Sequence, residues 1–364
     1  MLLRQNARRG VQVLYLLLAL LSLGALSADS ADAQRVNLPA DKGGSAALPI
    51  VIAHRGASAY LPEHTLPAKA LAHAMGSDFI EQDVVLSADG VPVILHDIYL
   101  DATTDVAEVF PGRARDDGRF YAVDFDLSEL RRLRVHERRR GDGSPVYPGR
   151  FPAGPGLFSL PTLAEEIALI AGLNRSRGMR VGLYIEMKGS AFHRRAGLDL
   201  PAAVLRALED SAWDGPVFLQ SFEPDTLRYL REELGSRLPL IQLIGENTWA
   251  EDGEVDFEHL RSDAGLDAVA RYADGIGPWL MQLYRGRDAA GEVQLSDLAE
   301  RAHARGLLVH PYTFRADELP PGIESFAELH RIFLGELGVD GLFTDFPDRS
   351  RALRDDLLGD PVHR

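Results

Sequence analysis

Glu81 and Asp83 stand two residues apart within the run Phe79 to Leu86, so on an extended strand both carboxylates leave the same face. Glu186, which closes the apolar run Leu183-Tyr184-Ile185, adds a third. Hard oxygen donors of this kind suit Ca²⁺ or Mg²⁺, not zinc. The chain has no cysteine, and its histidines are spaced wrongly for a zinc trio. One divalent cation is therefore expected, with Ca²⁺ favoured over Mg²⁺. Lys188 follows Glu186 at the same strand parity, which sets a ligand and a cation side by side, as a phosphate site requires.

Two histidines join them. His54 ends the run Ile50-Val51-Ile52-Ala53, and His96 ends Val93-Ile94-Leu95. An imidazole titrates near neutral pH, so a pair can serve as general base and general acid. Arg55, beside His54, has the planar fork that clamps a phosphate. Each feature alone has a plain structural explanation. Their joint occurrence at the ends of successive apolar runs is harder to explain that way, because clustered charges need partners. A metal and a phosphate would supply them.

The elements that carry these residues alternate. Apolar, β-branched runs cover Pro49 to Ala53, Phe79 to Leu86, Val91 to His96, Val181 to Lys188, Val217 to Phe222, Leu238 to Ile244, Gly275 to Met281, Leu307 to Phe314 and Gly341 to Phe346. Amphipathic stretches lie between most of them: Pro67 to Met75, Leu163 to Leu173, Pro201 to Ser211, Pro224 to Leu234 and Leu295 to Arg305. Such a beat predicts an α/β fold with a parallel sheet, and eight or so repeats suit a closed (β/α)₈ TIM barrel, whose active residues lie at the C-terminal ends of the strands. Residues 99–160 lack the beat and are rich in Asp, Arg, Gly and Pro; they read as an insertion that caps the barrel mouth after His96 and helps to recognise the substrate. Within it, Arg131 to Arg140 reads as a solvated helix face.

Taken in order, His54-Arg55-Gly56-Ala57-Ser58, Pro62-Glu63-His64-Thr65, Glu81-Gln82-Asp83-Val84 and Leu95-His96-Asp97 resemble the glycerophosphodiester phosphodiesterase family. Glu186-Met187-Lys188, Gln220-Ser221-Phe222 and Asp340 to Asp345 continue the resemblance, which covers about residues 49–348. The insertion, with Tyr99-Leu100-Asp101 and Tyr147 to Pro152, is similar to the longer, bacterial periplasmic branch. The resemblance implies that His54 and His96 are the acid/base pair, that Arg55 and Lys188 contact phosphate, and that Glu81, Asp83 and Glu186 hold the cation. Glu63 matches a position near metal and substrate. The family often has Asn at the next position, where this chain has His64. The implied reaction takes glycerophosphodiesters such as glycerophosphocholine and glycerophosphoethanolamine to sn-glycerol 3-phosphate and an alcohol. Two other readings use the same barrel: a phospholipase D-like enzyme on lysolipids, and an exported binding protein without turnover.

The first 33 residues read as a signal peptide: Arg4, Arg8 and Arg9, then the apolar Val13 to Leu26, then small residues. The apolar run is about 14 residues, short of the ~20 a spanning helix needs. Residues 34–364 are thus expected as an exported domain, periplasmic or secreted, with no membrane anchor after cleavage. The whole chain carries a net charge of −15 and shows no basic face, which argues against a nucleic-acid partner. Without cysteine there is neither a disulfide nor a lipoprotein anchor, so a large hydrophobic core must hold the domain.

Overall fold

The structure is a computed structural model, and it describes residues 48–152, 157–249 and 255–359. The expected signal peptide lies outside the described residues. Eight strands run parallel around the molecule: β1 (Ile50–Ala53), β2 (Phe79–Leu86), β4 (Gly182–Met187), β5 (Val217–Ser221), β6 (Leu240–Ile244), β7 (Gly275–Pro278), β10 (Leu308–Val309) and β11 (Gly341–Thr344). Their order is β10-β7-β6-β5-β4-β2-β1-β11. Backbone bonds from Asp340 N to Val309 O, Phe343 N to Pro311 O and Phe314 N to Phe343 O bring the two ends together. This is the (β/α)₈ TIM barrel that the beat of apolar runs predicts.

Helices α1 (Leu66–Met75), α2 (Leu163–Arg177), α3 (Leu200–Asp210) and α4 (Pro347–Leu358) are among those that cover the outside. Their ends are written locally. Thr65 caps α1 and Thr162 forms a capping box with Glu165 on α2, while Gly76 and Gly178 end these helices in the left-handed conformation. No helix among the described residues is long and apolar enough to cross a membrane.

Inside the barrel, Ile52, Phe79, Tyr184, Phe218, Ile241 and Phe343 form a packed plug. Tyr184 stacks on Phe218 with centroids 4.9 Å apart, and its hydroxyl lies 2.8 Å from His310 Nδ1. Strand parity then decides what lies above. Two residues after Ile52 comes His54, after Phe79 Glu81, after Tyr184 Glu186, after Phe218 Gln220, and after Phe343 Asp345. The same alternation that closes the barrel with aromatic rings therefore crowns it with a polar ring at the C-terminal mouth.

Three expectations need correction. The run Val91 to His96 yields only β3 (Pro92–Ile94), which pairs antiparallel with β2 and is not a barrel strand. Leu307 to Phe314 yields only the short β10, because Pro311 has no N–H to offer β11. Arg131 to Arg140 is not a helix face: the helix Leu127–Leu130 ends before it, and Arg138 points inward. The hairpin β8 (Tyr284–Arg287) with β9 (Val293–Leu295) was not among the expected elements. Among the described residues between 99 and 160 the regular elements are short helical turns and isolated β-bridges, held to β2 and β3 by a separate core in which Leu100, Val106, Phe110, Phe125, Leu130 and Val135 meet Val85, Val93 and Leu95.

Candidate active site

His54 and His96 are built alike. His54 Nδ1 lies 2.6 Å from Asp345 Oδ1, and His96 Nδ1 lies 2.5 Å from Asp97 Oδ1. Each carboxylate is in turn held by arginine. Asp345 Oδ2 meets Arg315 Nε and Arg150 Nη2, both at 2.8 Å, and Asp97 Oδ2 accepts from Arg138 Nη1 at 2.8 Å. Burial alone would raise both aspartates, but Arg315 with His54, and Arg138 with His96, hold them well below the usual carboxylate range. An ionised carboxylate only accepts, so each ring donates from Nδ1 and keeps a lone pair on Nε2. Burial, reinforced by Arg55, lowers His54 from 6.5 to about 4; burial, then Arg55 and Lys188, does the same for His96.

Glu81, Asp83 and Glu186 meet at the β2–β4 pair, where Asp83 is the register partner of Glu186. Glu81 Oε2 accepts from the Arg55 backbone N–H at 2.5 Å. Asp83 Oδ2 lies 2.7 Å from His64 Nε2, while Asp83 Oδ1 is buried without a hydrogen-bond partner. Glu186 pairs with Lys188 Nζ at 2.9 Å. Burial followed by repulsion from Asp83 holds Glu81 well above the ordinary range. Glu186 rises to about 8, again through burial first, with Lys188 opposing. Burial would raise Asp83 too, but His64 and then His96 hold it well below the ordinary range. Three buried carboxylates, two held high beside an ionised third that has an orphaned oxygen, fit a divalent cation. Ligand atoms of His64, Glu81 and Asp83 lie within 4.8 Å of one another, so the tightest group includes His64 where the sequence suggested Glu186.

Arg55 is in the left-handed region at φ 57°, and Gly56 follows at φ 89°, where an added Cβ would come within 2.9 Å of the Ala68 carbonyl carbon. This sharp turn after β1 aims the Arg55 side chain at the site. Its Nη1 lies 3.0 Å from both oxygens of Glu63, and its Nε is 3.6 Å from Asp83 Oδ2. Glu63 also takes a bidentate grip from Arg138, at 2.9 and 2.8 Å. Glu63 thus organises two arginines and does not line the main cavity.

That cavity has a volume of about 510 Å³. His54, Arg55, Glu81, His96, Glu186 and Lys188 line its polar side, with Gln220 and Arg315; Phe222, Leu243, Trp249, Trp279, Tyr312 and Phe343 line the other. A smaller cavity of about 150 Å³ shares His54, Arg55, His96 and Arg315 and is walled by Glu63, Glu137, Arg138, Tyr147 and Arg150. Glu137 is raised to about 7 there, by burial and then by Glu63. Asp83 is fully buried and lines neither cavity.

Sequence reasoning missed Arg138, Arg150 and Arg315, the aromatic wall and the part played by Asp97 and Asp345. The two aspartates carried a signal, since one adjoins His96 and the other ends the last barrel run at the parity of His54. The arginines carried none, because each acts across a large sequence separation.

Comparison with known proteins gives the family and the fold. Residues 54–349 match the model of the Glycerophosphoryl diester phosphodiesterase family. A glycerophosphodiester phosphodiesterase of Haemophilus influenzae is 37% identical over 356 residues, covering 92% of this chain and 96% of that protein. One of Treponema pallidum is 34% identical over 325 residues, covering 84% of this chain and 91% of that protein. Among solved structures, an Oleispira antarctica phosphodiesterase in complex with its product sn-glycerol-3-phosphate shares the fold at a TM-score of 0.57 and 24% identity, covering 85% of this chain and 97% of that one.

Proposed function

The chain belongs to the glycerophosphoryl diester phosphodiesterase family and is a glycerophosphodiester phosphodiesterase, and we propose that it cleaves glycerophosphodiesters with His54 and His96 as its proton-transfer pair. The observation that carries this reading is the matched support of the two rings: each has Nδ1 tied to a buried carboxylate and lines the cavity that holds Arg55, Lys188, Glu81 and Glu186. One ring, neutral, takes at Nε2 the proton of the attacking hydroxyl; the other must first gain a proton at Nε2 from solvent, and it passes that proton to the leaving alkoxide. Arg55, Lys188 and Arg315 bring positive charge to the diester phosphate, and Glu63 holds Arg55 in place. Glycerophosphocholine and glycerophosphoethanolamine are the substrates, and sn-glycerol 3-phosphate and an alcohol are the products.

Glu81, Asp83 and Glu186 would hold one divalent cation, Ca²⁺ ahead of Mg²⁺. Bound there, it would neutralise charge on a phosphoryl oxygen and orient the diester. The insertion at residues 99–160 contributes Arg138 and Arg150 behind the two histidines, in keeping with a cap in the manner of the periplasmic branch. Residues 1–33 would direct export and be removed, leaving residues 34–364 outside the cytoplasm.

The test is turnover of glycerophosphocholine by His54→Ala and His96→Ala, with lysophosphatidylcholine run alongside. Each change should cut kcat by ~10²–10⁴-fold while calcium binding survives. A diester with a good leaving group should rescue loss of the acid and not loss of the base. Near-normal kcat in both variants would reject the pair, and faster cleavage of the lysolipid would reject the substrate class.

A further inference from the structure

The compact group of His64, Glu81 and Asp83 offers a histidine as a possible metal ligand. The neighbours of that histidine argue otherwise. His64 Nδ1 faces Lys69 Nζ at 3.3 Å, and His64 Nε2 faces Asp83 Oδ2 at 2.7 Å. Lys69 is fully buried, and its ammonium meets three acceptors: His64 Nδ1, the Glu81 carbonyl and Glu166 Oε1 at 3.1 Å. An ammonium has only hydrogens to offer. The Lys69 contact therefore makes His64 Nδ1 an acceptor, excludes the doubly protonated ring, and leaves the ring hydrogen on Nε2. That hydrogen donates to Asp83 Oδ2. Asp83 Oδ1, on the same carboxylate, is the buried oxygen without a partner.

We infer that His64 is a positioning residue and not a metal ligand: Lys69 fixes its tautomer, its Nε2–H pins one oxygen of Asp83, and the other oxygen is kept for the cation. The inference rests on the metal site proposed above and narrows it, since it removes His64 from the compact group and leaves Glu186, the register partner of Asp83, as the third carboxylate. It also gives a reason for the backbone. His64 stands at φ 63°, and its N–H donates to the Arg55 carbonyl at 3.0 Å, so the loop from β1 to α1 folds back to lay the ring over β2. Asn is among the residues that accept this left-handed conformation most readily, and its amide also donates. A donor there, not an imidazole as such, is what the site requires.

The ring can be read directly. Long-range ¹H–¹⁵N correlation spectra of the metal-free and the calcium-loaded wild-type enzyme should both show His64 as the Nε2–H tautomer. Calcium affinity by calorimetry should fall ~10–100-fold in His64→Leu, the usual scale for loss of a group that orients a ligand. It should stay close to wild type in His64→Asn, with thermal melts confirming that both variants fold. An Nδ1–H tautomer, or loss of the Nε2 proton when calcium binds, would overturn the inference. So would wild-type affinity in His64→Leu. If the wild-type protein takes up no calcium, the metal site itself falls and this inference with it; calcium uptake by the wild type with no change in His64→Leu overturns the inference alone.

Discussion

Replacing Asp345 by Asn changes one atom and should disable His54. In the native site Asp345 Oδ2 accepts from Arg315 Nε and Arg150 Nη2, each at 2.8 Å, and Oδ1 faces His54 Nδ1 at 2.6 Å. A carboxamide has one oxygen. Two arginine donors claim it at the Oδ2 position, so the amide NH₂ must take the Oδ1 position and point at His54 Nδ1. A donor there turns Nδ1 into the acceptor and moves the ring hydrogen to Nε2. The atom that faces the cavity then has no lone pair with which to take a proton. A wrong tautomer in a comparable histidine–aspartate pair lowers kcat by ~10⁴, and general acid–base catalysis as a whole contributes ~10²–10⁴. The expected fall in kcat is thus ~10²–10⁴-fold, or about 3–5 kcal/mol of barrier. The assay is steady-state hydrolysis of glycerophosphocholine at saturating calcium, with the His54 tautomer read by ¹⁵N spectra and the fold checked by circular dichroism. A flipped tautomer together with near-native kcat would refute the reasoning.

Other consequences follow from the same contacts. Arg138→Met should destabilise the protein by about 3–5 kcal/mol in urea unfolding, because it removes the shared cation from Glu63 and Asp97 while both stay buried; a loss under 1 kcal/mol would speak against a buried network. His193, His310 and His330 are each lowered from 6.5 to about 4, chiefly by burial. Their folded values lie below the unfolded one, so their stabilising contribution is full above pH 6.5 and is lost as pH falls toward 4. The melting temperature should therefore drop across that window, and a flat profile between pH 6.5 and 4 would contradict it. For the leader, mass spectrometry of natively exported protein should find a start near Ala28 or Gln34; intact Met1 in the bulk of that material would exclude removal.

Much of the polar ring was legible because strand parity is a local property. Glu81 and Asp83 at spacing two, Glu186 and Lys188 at spacing two, and His54 at the end of β1 all follow from the period of an extended chain. The barrel was legible for the same reason, as repeated apolar runs alternating with amphipathic stretches. What stayed hidden depends on pairing direction or on distant side chains. Nothing in Val91 to His96 says that it folds back antiparallel on β2, since an apolar run reads the same in either direction. Arg138 sits in an arginine-rich run whose exposed members, such as Arg131 and Arg132, look identical in sequence. Only the packing of residues 99–160 on β2 and β3 brings it 2.8 Å from Glu63, 75 residues earlier. His64 was visible as a residue and not as a donor, because its tautomer is set by Lys69 on the next helix.

The most direct test is single-turnover hydrolysis of glycerophosphocholine by enzyme stripped with a chelator and then titrated with Ca²⁺, in wild type and in Asp83→Ala. Expected are no cleavage without metal, recovery to sn-glycerol 3-phosphate and choline as one equivalent of Ca²⁺ is taken up, and calcium binding weakened or lost in Asp83→Ala with the fold intact. Full turnover by the metal-free enzyme, or undiminished calcium binding by Asp83→Ala, would contradict a cation held by Glu81, Asp83 and Glu186.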